Sequence, residues 1–251
     1  MTQTLLPRAA GGSSFASMSA VIRNRFYSAV ALALAALVFV GFARTFYFRA
    51  WFDVPPTTML LILHGIAFTA WFALFVIQTR LIAAQNYRTH MQLGIAGIII
   101  AIAVVILGYA TAVVSASAPR PRAGGMNSQQ FVFIPLLGIT IFAVCVAAAV
   151  ALRKKAQLHK RFMTLAMVAV LGPPVARIIL VTNAGAYFLV IQTAVPALFI
   201  AWCLISDWRK YRIVHPVYLY GGLFIVASWP VRVMIARTPA WESVGRWLAG
   251  M

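Results

Sequence analysis

The stretch QLGIAGIIIAIAVVILGYATAVVSA, residues 92–116, decides the fold class of this chain. It runs for 25 residues without an Asp, Glu, Lys or Arg, and about 20 apolar residues in a helix suffice to cross the hydrocarbon core of a bilayer. Comparable stretches recur along the chain, and we predict six further spans at 26–47, 57–79, 130–152, 162–182, 185–206 and 217–236. The sequence therefore predicts an all-α, polytopic membrane helix bundle with seven transmembrane helices.

The composition leaves no room for a sizeable soluble domain. Of the 251 residues, 63% are hydrophobic and 10% are charged, whereas a soluble domain carries roughly 25% charged residues. The net charge of +18 would suggest a nucleic-acid partner in a soluble protein. Here the basic residues lie at span ends, where they orient the helices and meet anionic headgroups. We expect a multi-pass protein of the bacterial inner (plasma) membrane, in contact with lipids and without a nucleic-acid partner.

The distribution of Lys and Arg predicts the orientation of the bundle. With the N-terminus inside, the inner segments hold 13 basic residues and the outer segments hold 6, while Arg177 and Arg232 lie within spans. An excess of Lys and Arg in short loops marks the cytoplasmic side. We therefore predict an N-inside, C-outside topology.

We divide the chain into a flexible cytoplasmic tail at 1–22, a seven-helix transmembrane domain at 23–237 and an outer interfacial C-terminal helix at 238–251. The last segment begins with Thr238 as a capping residue and Pro239 in the first turn, a common helix start. Its tryptophans are typical of a helix lying in the membrane interface.

Missing residue types exclude several functions. The three acids, Asp53, Asp207 and Glu242, lie at or beyond the predicted span ends, whereas proton pumps and ion-coupled carriers usually load a carboxylate within the membrane. The four histidines are too few for a diiron desaturase, and no HExxH motif, Gly-rich phosphate loop or Ser/His/acid set is present. The sequence predicts no metal-ion site and favours a protein that is not an enzyme.

Two histidines are candidates for binding a cofactor. His90 and His159 each begin a predicted helix that returns from the inner surface. Two imidazoles at one depth on facing helices can hold a b-type haem axially. The alternative is that these histidines, like His215 in the third inner hairpin, bind water and headgroups at the interface.

The motifs His64-Gly65, His-x-x-Leu-Gly at His90 and His-Lys-Arg at His159 resemble uncharacterised bacterial multi-pass membrane families. Some of these are distantly similar to the haem-bearing cytochromes b of ascorbate and ferric reductases. The resemblance covers about four of the seven spans and implies a haem b held by His90 and His159. Those cytochromes hold one haem near each membrane face, whereas this sequence offers only His64 near the outer face.

Four residues of the outer half form a second candidate site: Arg177, Arg232, His64 and Gln192. An arginine within a span is costly unless it reaches water or a partner, and the sequence provides no acid there. Pro173 and Pro174 cannot donate hydrogen bonds and so leave carbonyls free one turn earlier, which an arginine could use. The alternative is that both arginines extend to the outer interface.

Our leading interpretation is a non-catalytic membrane protein, an accessory subunit or a binder of a small amphiphile, anion or lipid in its outer half. A quinone or an anionic small molecule fits this description. The alternative is a b-type haem electron-transfer protein using His90 and His159. A facilitator without a carboxylate is a third interpretation.

Overall fold

The computed structural model describes residues 12–118 and 122–250, and every regular element within these ranges is helical. The α-helices are α1 Gly12–Phe42, α2 Met59–Ala83, α3 Tyr87–Ala116, α4 Ser128–Phe131, α5 Phe133–Ala151, α6 Ala156–Ala169, α7 Gly172–Val181, α8 Phe188–Tyr211, α9 Gly222–Ala236 and α10 Pro239–Leu248. A π-helical turn at Ala43–Tyr47 extends α1, and another at Val217–Gly221 precedes α9. Short 3-10 turns lie at Arg49–Trp51, Ala123–Gly125 and Gly185–Tyr187.

Seven helical segments within the described ranges are long and apolar enough to cross a membrane: Arg25–Tyr47, Met59–Ala83, Tyr87–Ala116, Ser128–Ala151, Ala156–Val181, Gly185–Tyr211 and Val217–Ala236. This confirms the predicted all-α, multi-pass architecture. We number these segments as spans 1 to 7. Several extend beyond the predicted bounds, because polar residues at a helix end continue the helix past the apolar run that reveals it.

The fifth span, made of α6 and α7, forms the centre of the bundle. In its most apolar window 72% of the residues are buried, against 17–44% for the other spans. Helix α6 packs against α5, and α7 packs against α1 and α8. Helix α2 lies between α1 and α3, and α9 packs against α5 and α8. A residue on the fifth span therefore has neighbours on most sides.

Lys and Arg are concentrated in the turns at one end of the bundle, as in Arg153, Lys154, Lys155 and Arg212. We call the end with the turns at 84–86, 152–155 and 212–216 the basic end and the other the opposite end. At the opposite end α10 packs against α4. The Glu242 carboxylate there accepts hydrogen bonds from Asn127 Nδ2 at 3.4 Å and Gln130 Nε2 at 3.2 Å.

The termini bear on the predicted division of the chain. Residues 1–11 of the predicted tail lie outside the described residues, and α1 begins at Gly12. The predicted C-terminal segment contains α10, whose first turn is capped by the Thr238 hydroxyl accepting from Trp241 N at 3.2 Å. Met251 lies outside the described residues.

Candidate functional site

The fifth span is broken inside the bundle. Helix α6 ends at Ala169 and α7 begins at Gly172. Pro173 and Pro174 lack backbone N–H groups, so the carbonyls of Ala169 and Val170 lose the donors that a continuous helix would provide. Broken helices with exposed backbone dipoles form ligand sites in many membrane transporters. The break between α6 and α7 is therefore a candidate ligand site.

Arg232 of α9 lies beside the break. The residue is 1% exposed, and its guanidinium carbon lies 4.7 Å from the centre of the Trp229 ring. Its Nε and Nη2 atoms are buried and have no hydrogen-bond partner in the described part of the chain. A methyl group at Gly138 would lie 3.5 Å from Arg232 Nη1 and 3.6 Å from the Ala169 carbonyl oxygen, so the charged group lies near the end of α6.

Gln192 of α8 lies on the other side of the break. It is 1% exposed, and its Nε2 donates to the Gly172 carbonyl at 3.1 Å. Its Oε1 is buried without a partner among the described residues. A methyl group at Gly172 would lie 2.7 Å from the Trp229 ring and 4.0 Å from Gln192 Oε1. Gln192, Gly172, Trp229 and Arg232 are therefore contiguous.

The other two predicted residues of this site lie beside the π-helical turn of span 1. Arg177 Nε donates to Thr45 Oγ1 at 3.1 Å, Arg177 Nη1 donates to the Pro173 carbonyl at 3.3 Å, and its guanidinium carbon lies 4.2 Å from the Phe42 ring centre. His64 packs on Phe68 with ring centres 4.7 Å apart, and a methyl group at its neighbour Gly65 would overlap the ring of Phe46 in that turn. The structure thus places Arg232 with Gln192, and it places Arg177 and His64 beside the π-helical turn of span 1.

His90 and His159 come together although 69 residues separate them. Their ring centres lie 6.3 Å apart, with ring planes at 86°. His159 Nδ1 is 2.8 Å from the Ala149 carbonyl oxygen. This contact leaves Nε2 as the nitrogen available to a ligand, an arrangement common in metal-binding histidines. His90 Nδ1 is buried without a hydrogen-bond partner within the ranges described.

The spacing of the two rings fits a single iron between them. Two axial imidazole nitrogens lie about 4 Å apart at ordinary metal–nitrogen bond lengths. Because each ring centre lies about 1 Å behind its nitrogen, the two centres would be roughly 6 Å apart in such a complex. Gly94, one turn after His90, leaves open space, since a methyl group there meets no described atom within 4 Å. The described residues contain no cluster of three or more His, Cys, Asp or Glu that could hold a metal ion.

A third polar group, at the basic end, was missed by the sequence analysis. Arg161 Nη2 and Nε donate to the two carboxylate oxygens of Asp207 at 2.8 Å and 3.0 Å. The side chains of the pair are 2% and 5% exposed. Arg161 Nη1 also donates to the backbone and side-chain oxygens of Gln157, both at 2.8 Å. The expectation that Asp207 lies at or beyond a span end is corrected, because α8 continues to Tyr211 and carries this carboxylate inward.

Aromatic and hydroxyl side chains enclose this ion pair. The Arg161 guanidinium carbon lies 5.4 Å from the ring centre of Tyr218, which is fully buried on the π-helical turn before α9. Thr164, also fully buried, donates its hydroxyl to the Lys160 carbonyl at 2.9 Å. In the nearby turn, partial burial and then the charge of Arg161 lower the pKa of His215 below its usual value. The pair therefore connects spans 5, 6 and 7 at the basic end.

The pattern of α8 contains the signal that reveals Asp207. The buried residues of that helix follow one another at helical spacing: Phe188, Gln192, Pro196, Ile200, Cys203 and Asp207. Residues three or four apart lie on one face of a helix. Asp207 continues the buried face, so extending this stripe by one turn would have placed its carboxylate inside the bundle.

No family model matches this chain, and neither a curated protein nor a solved structure does. The function of this protein is therefore inferred from the arrangement of the side chains described above.

Proposed function

We propose that this multi-pass membrane protein binds a small anion, or the anionic group of a small amphiphile such as a lipid, at the break in its fifth span. It would act there as a non-catalytic accessory subunit of other membrane proteins. The observation that carries the proposal is the buried guanidinium of Arg232, two of whose nitrogens lack a hydrogen-bond partner in the described ranges.

A guanidinium within a span needs compensation. Its burial costs several kcal/mol, with estimates from roughly 3 to above 10, unless it reaches water or a partner. Contact with an aromatic ring such as Trp229 contributes only about 0.5–2 kcal/mol. An anionic oxygen placed against Nε and Nη2 would supply both charge and hydrogen bonds. Gln192 Oε1, which lies nearby with an unused lone pair, would favour a ligand that also carries a hydroxyl.

A matched pair of amphiphiles tests this proposal. We expect decanoate to raise the melting temperature of the detergent-purified protein by several degrees near saturation, since ligand at about 100 times its Kd stabilises by about 2.7 kcal/mol. Decanol, which lacks the charge, should leave the melting temperature unchanged. Arg232→Gln should abolish the response to decanoate.

Arg237→Gln is the control for this experiment, because Arg237 is an exposed arginine one turn further along the chain. It should respond to decanoate as the wild type does. An equal response of wild type and Arg232→Gln would refute the site, and so would the absence of any response in the wild type.

The second candidate function is electron transfer by a b-type haem, and the observation favouring it is the 6.3 Å separation of the His90 and His159 ring centres. These two imidazoles would hold the haem iron, and the Ala149 carbonyl would orient His159 through its Nδ1. The haem, when bound, would supply one-electron transfer.

Absorption spectroscopy of the purified protein tests this candidate. If haem binds here, a Soret band is expected in the wild type, and His90→Ala or His159→Ala should each remove or reshape it. His215→Ala should leave the band intact, since His215 Nδ1 instead accepts from Val217 N at 3.2 Å. A wild-type protein that stays colourless after expression with excess haem would rule the candidate out.

We also propose that the N-terminus lies in the cytoplasm, the C-terminus lies outside, and the membrane is the bacterial plasma membrane. The 13-to-6 distribution of Lys and Arg supports this orientation. An alkaline phosphatase fused to the C-terminus should then be active and a fluorescent protein fused there should be dark. An inactive phosphatase fusion together with a bright fluorescent-protein fusion would reverse the assigned orientation.

A further inference from the structure

We infer that the basic end of the bundle carries a binding site for the phosphate of an anionic phospholipid, between α1 and α8. A cleft opens there at the level of the buried ion pair. It is lined by Phe26, Tyr27, Ser206, Asp207, Lys210 and Tyr211. This site lies at the other end of the bundle from Arg232 and does not depend on the function proposed above.

Two lysines place positive charge at the cleft. Lys160 Nζ lies 5.1 Å from the ring centre of Tyr27, and Lys210 Nζ lies 5.5 Å from the ring centre of Tyr211. Each ammonium therefore stands beside an aromatic residue that lines the cleft. Ammonium groups at a membrane surface attract anionic headgroups.

The carboxylate of Asp207 does not cancel this attraction. Arg161 binds both of its oxygens from the interior of the bundle, at 2.8 Å and 3.0 Å. The cations of Lys160, Lys210 and Arg161 against one carboxylate leave a surplus of two positive charges. The phosphodiester of a phospholipid carries one negative charge, so this surplus is sufficient to attract it.

The size of the cleft limits what can enter it. Its volume is about 10 Å³, which is room for one water-sized group. A single phosphate oxygen is the largest part of a headgroup that the cleft can admit, so the rest of the headgroup would stay at the membrane surface. A cleft of this size suits a ligand that is held mainly by the membrane beside the cleft.

An apolar surface leads from the cleft into the membrane and favours a phospholipid over free phosphate. The Phe26 ring of α1 packs edge-on against Trp202 of α8 with centres 5.7 Å apart. Along the same helix Leu198 and Ile205 are 69% and 49% exposed. An acyl chain lying along this surface would hold the phosphate over the cleft, which inorganic phosphate could not do.

Native mass spectrometry with phosphatidylglycerol and phosphatidylcholine tests the inference. The purified protein should retain phosphatidylglycerol in preference to phosphatidylcholine. Lys210→Gln and Lys160→Gln should each lower phosphatidylglycerol retention about fivefold, the contribution of one basic residue near an anionic surface. Lys210→Arg, which keeps the charge, should restore retention. None of these three substitutions changes Arg161 or Asp207.

Lys154→Gln is the matched control, because Lys154 is exposed in the turn at 152–155 of the same end and does not line the cleft. It should retain phosphatidylglycerol as the wild type does. An equal loss in Lys154→Gln would show diffuse attraction to the basic end and overturn the site. Full displacement of phosphatidylglycerol by millimolar inorganic phosphate would overturn the lipid as its occupant.

Discussion

Asp207→Asn is expected to lower the free energy of unfolding by about 3–5 kcal/mol, because it leaves the Arg161 guanidinium buried without its counter-charge. The substitution keeps the size and shape of the side chain, so the loss reports the charge and not a cavity. Arg161 is 2% exposed and cannot reach water without moving α6. The measurement is the unfolding transition of the detergent-purified protein in an SDS titration, followed by circular dichroism.

Two further variants test whether the loss of stability comes from the unpaired charge of Arg161. Asp53→Asn removes an exposed carboxylate at the opposite end and should change the free energy of unfolding by less than about 0.5 kcal/mol. The double variant Arg161→Met/Asp207→Leu removes both charges and should recover most of the stability, as apolar replacements of buried ion pairs often do. If Asp207→Asn were as stable as Asp53→Asn, the ion pair would have no structural role.

The spans could be predicted from the sequence because membrane insertion depends on local composition. The run at 92–116 needs no knowledge of its neighbours to be recognised as a membrane helix. Its actual start at Tyr87 could not be read in the same way. The added first turn is polar, and Asn86 caps it by accepting from Thr89 N at 3.2 Å. A hydropathy average over the run does not reveal such a hydrogen bond.

The partners of the polar residues could be predicted only in part. The sequence indicated that Pro173 and Pro174 free carbonyls one turn earlier, which are those of Ala169 and Val170. Arg177 instead donates to the carbonyl of Pro173 itself, which neither proline frees. Grouping Arg177 and Arg232 by their similar depth gave no information on which face each presents. That depends on the rotation of α7 and α9 about their axes, which is set by packing between helices distant in sequence.

The depth of His90 and His159 in the membrane could be predicted from the topology, but their proximity could not. Both residues begin helices at the basic end, so their depth follows from the predicted spans. Their proximity requires that α3 and α6 approach each other there, although α5 is the helix that packs closely against both. The sequence contains no direct sign of that approach, which depends on how α3 and α6 each pack against α5.

Gly41→Ala is expected to lower the free energy of unfolding by about 1–3 kcal/mol or more, the usual cost of forcing extra volume into a packed interior. A methyl group at Gly41 would lie 2.6 Å from the Pro174 carbonyl oxygen and 2.7 Å from its Cα. These are backbone atoms at the break in the fifth span, so no side-chain rotation can make room. Helix α1 would have to move away from α7, which would also separate Thr45 from Arg177.

Gly94→Ala is the matched control, since it makes the same substitution inside another membrane helix. A methyl group there meets no described atom within 4 Å. Because alanine favours a helix by about 0.5–1 kcal/mol over glycine, this variant should be as stable as the wild type or slightly more stable. SDS titrations of the two variants side by side give the comparison. If Gly41→Ala matched Gly94→Ala, α1 and α7 would not be in the close contact that holds the broken span and Arg177 in place.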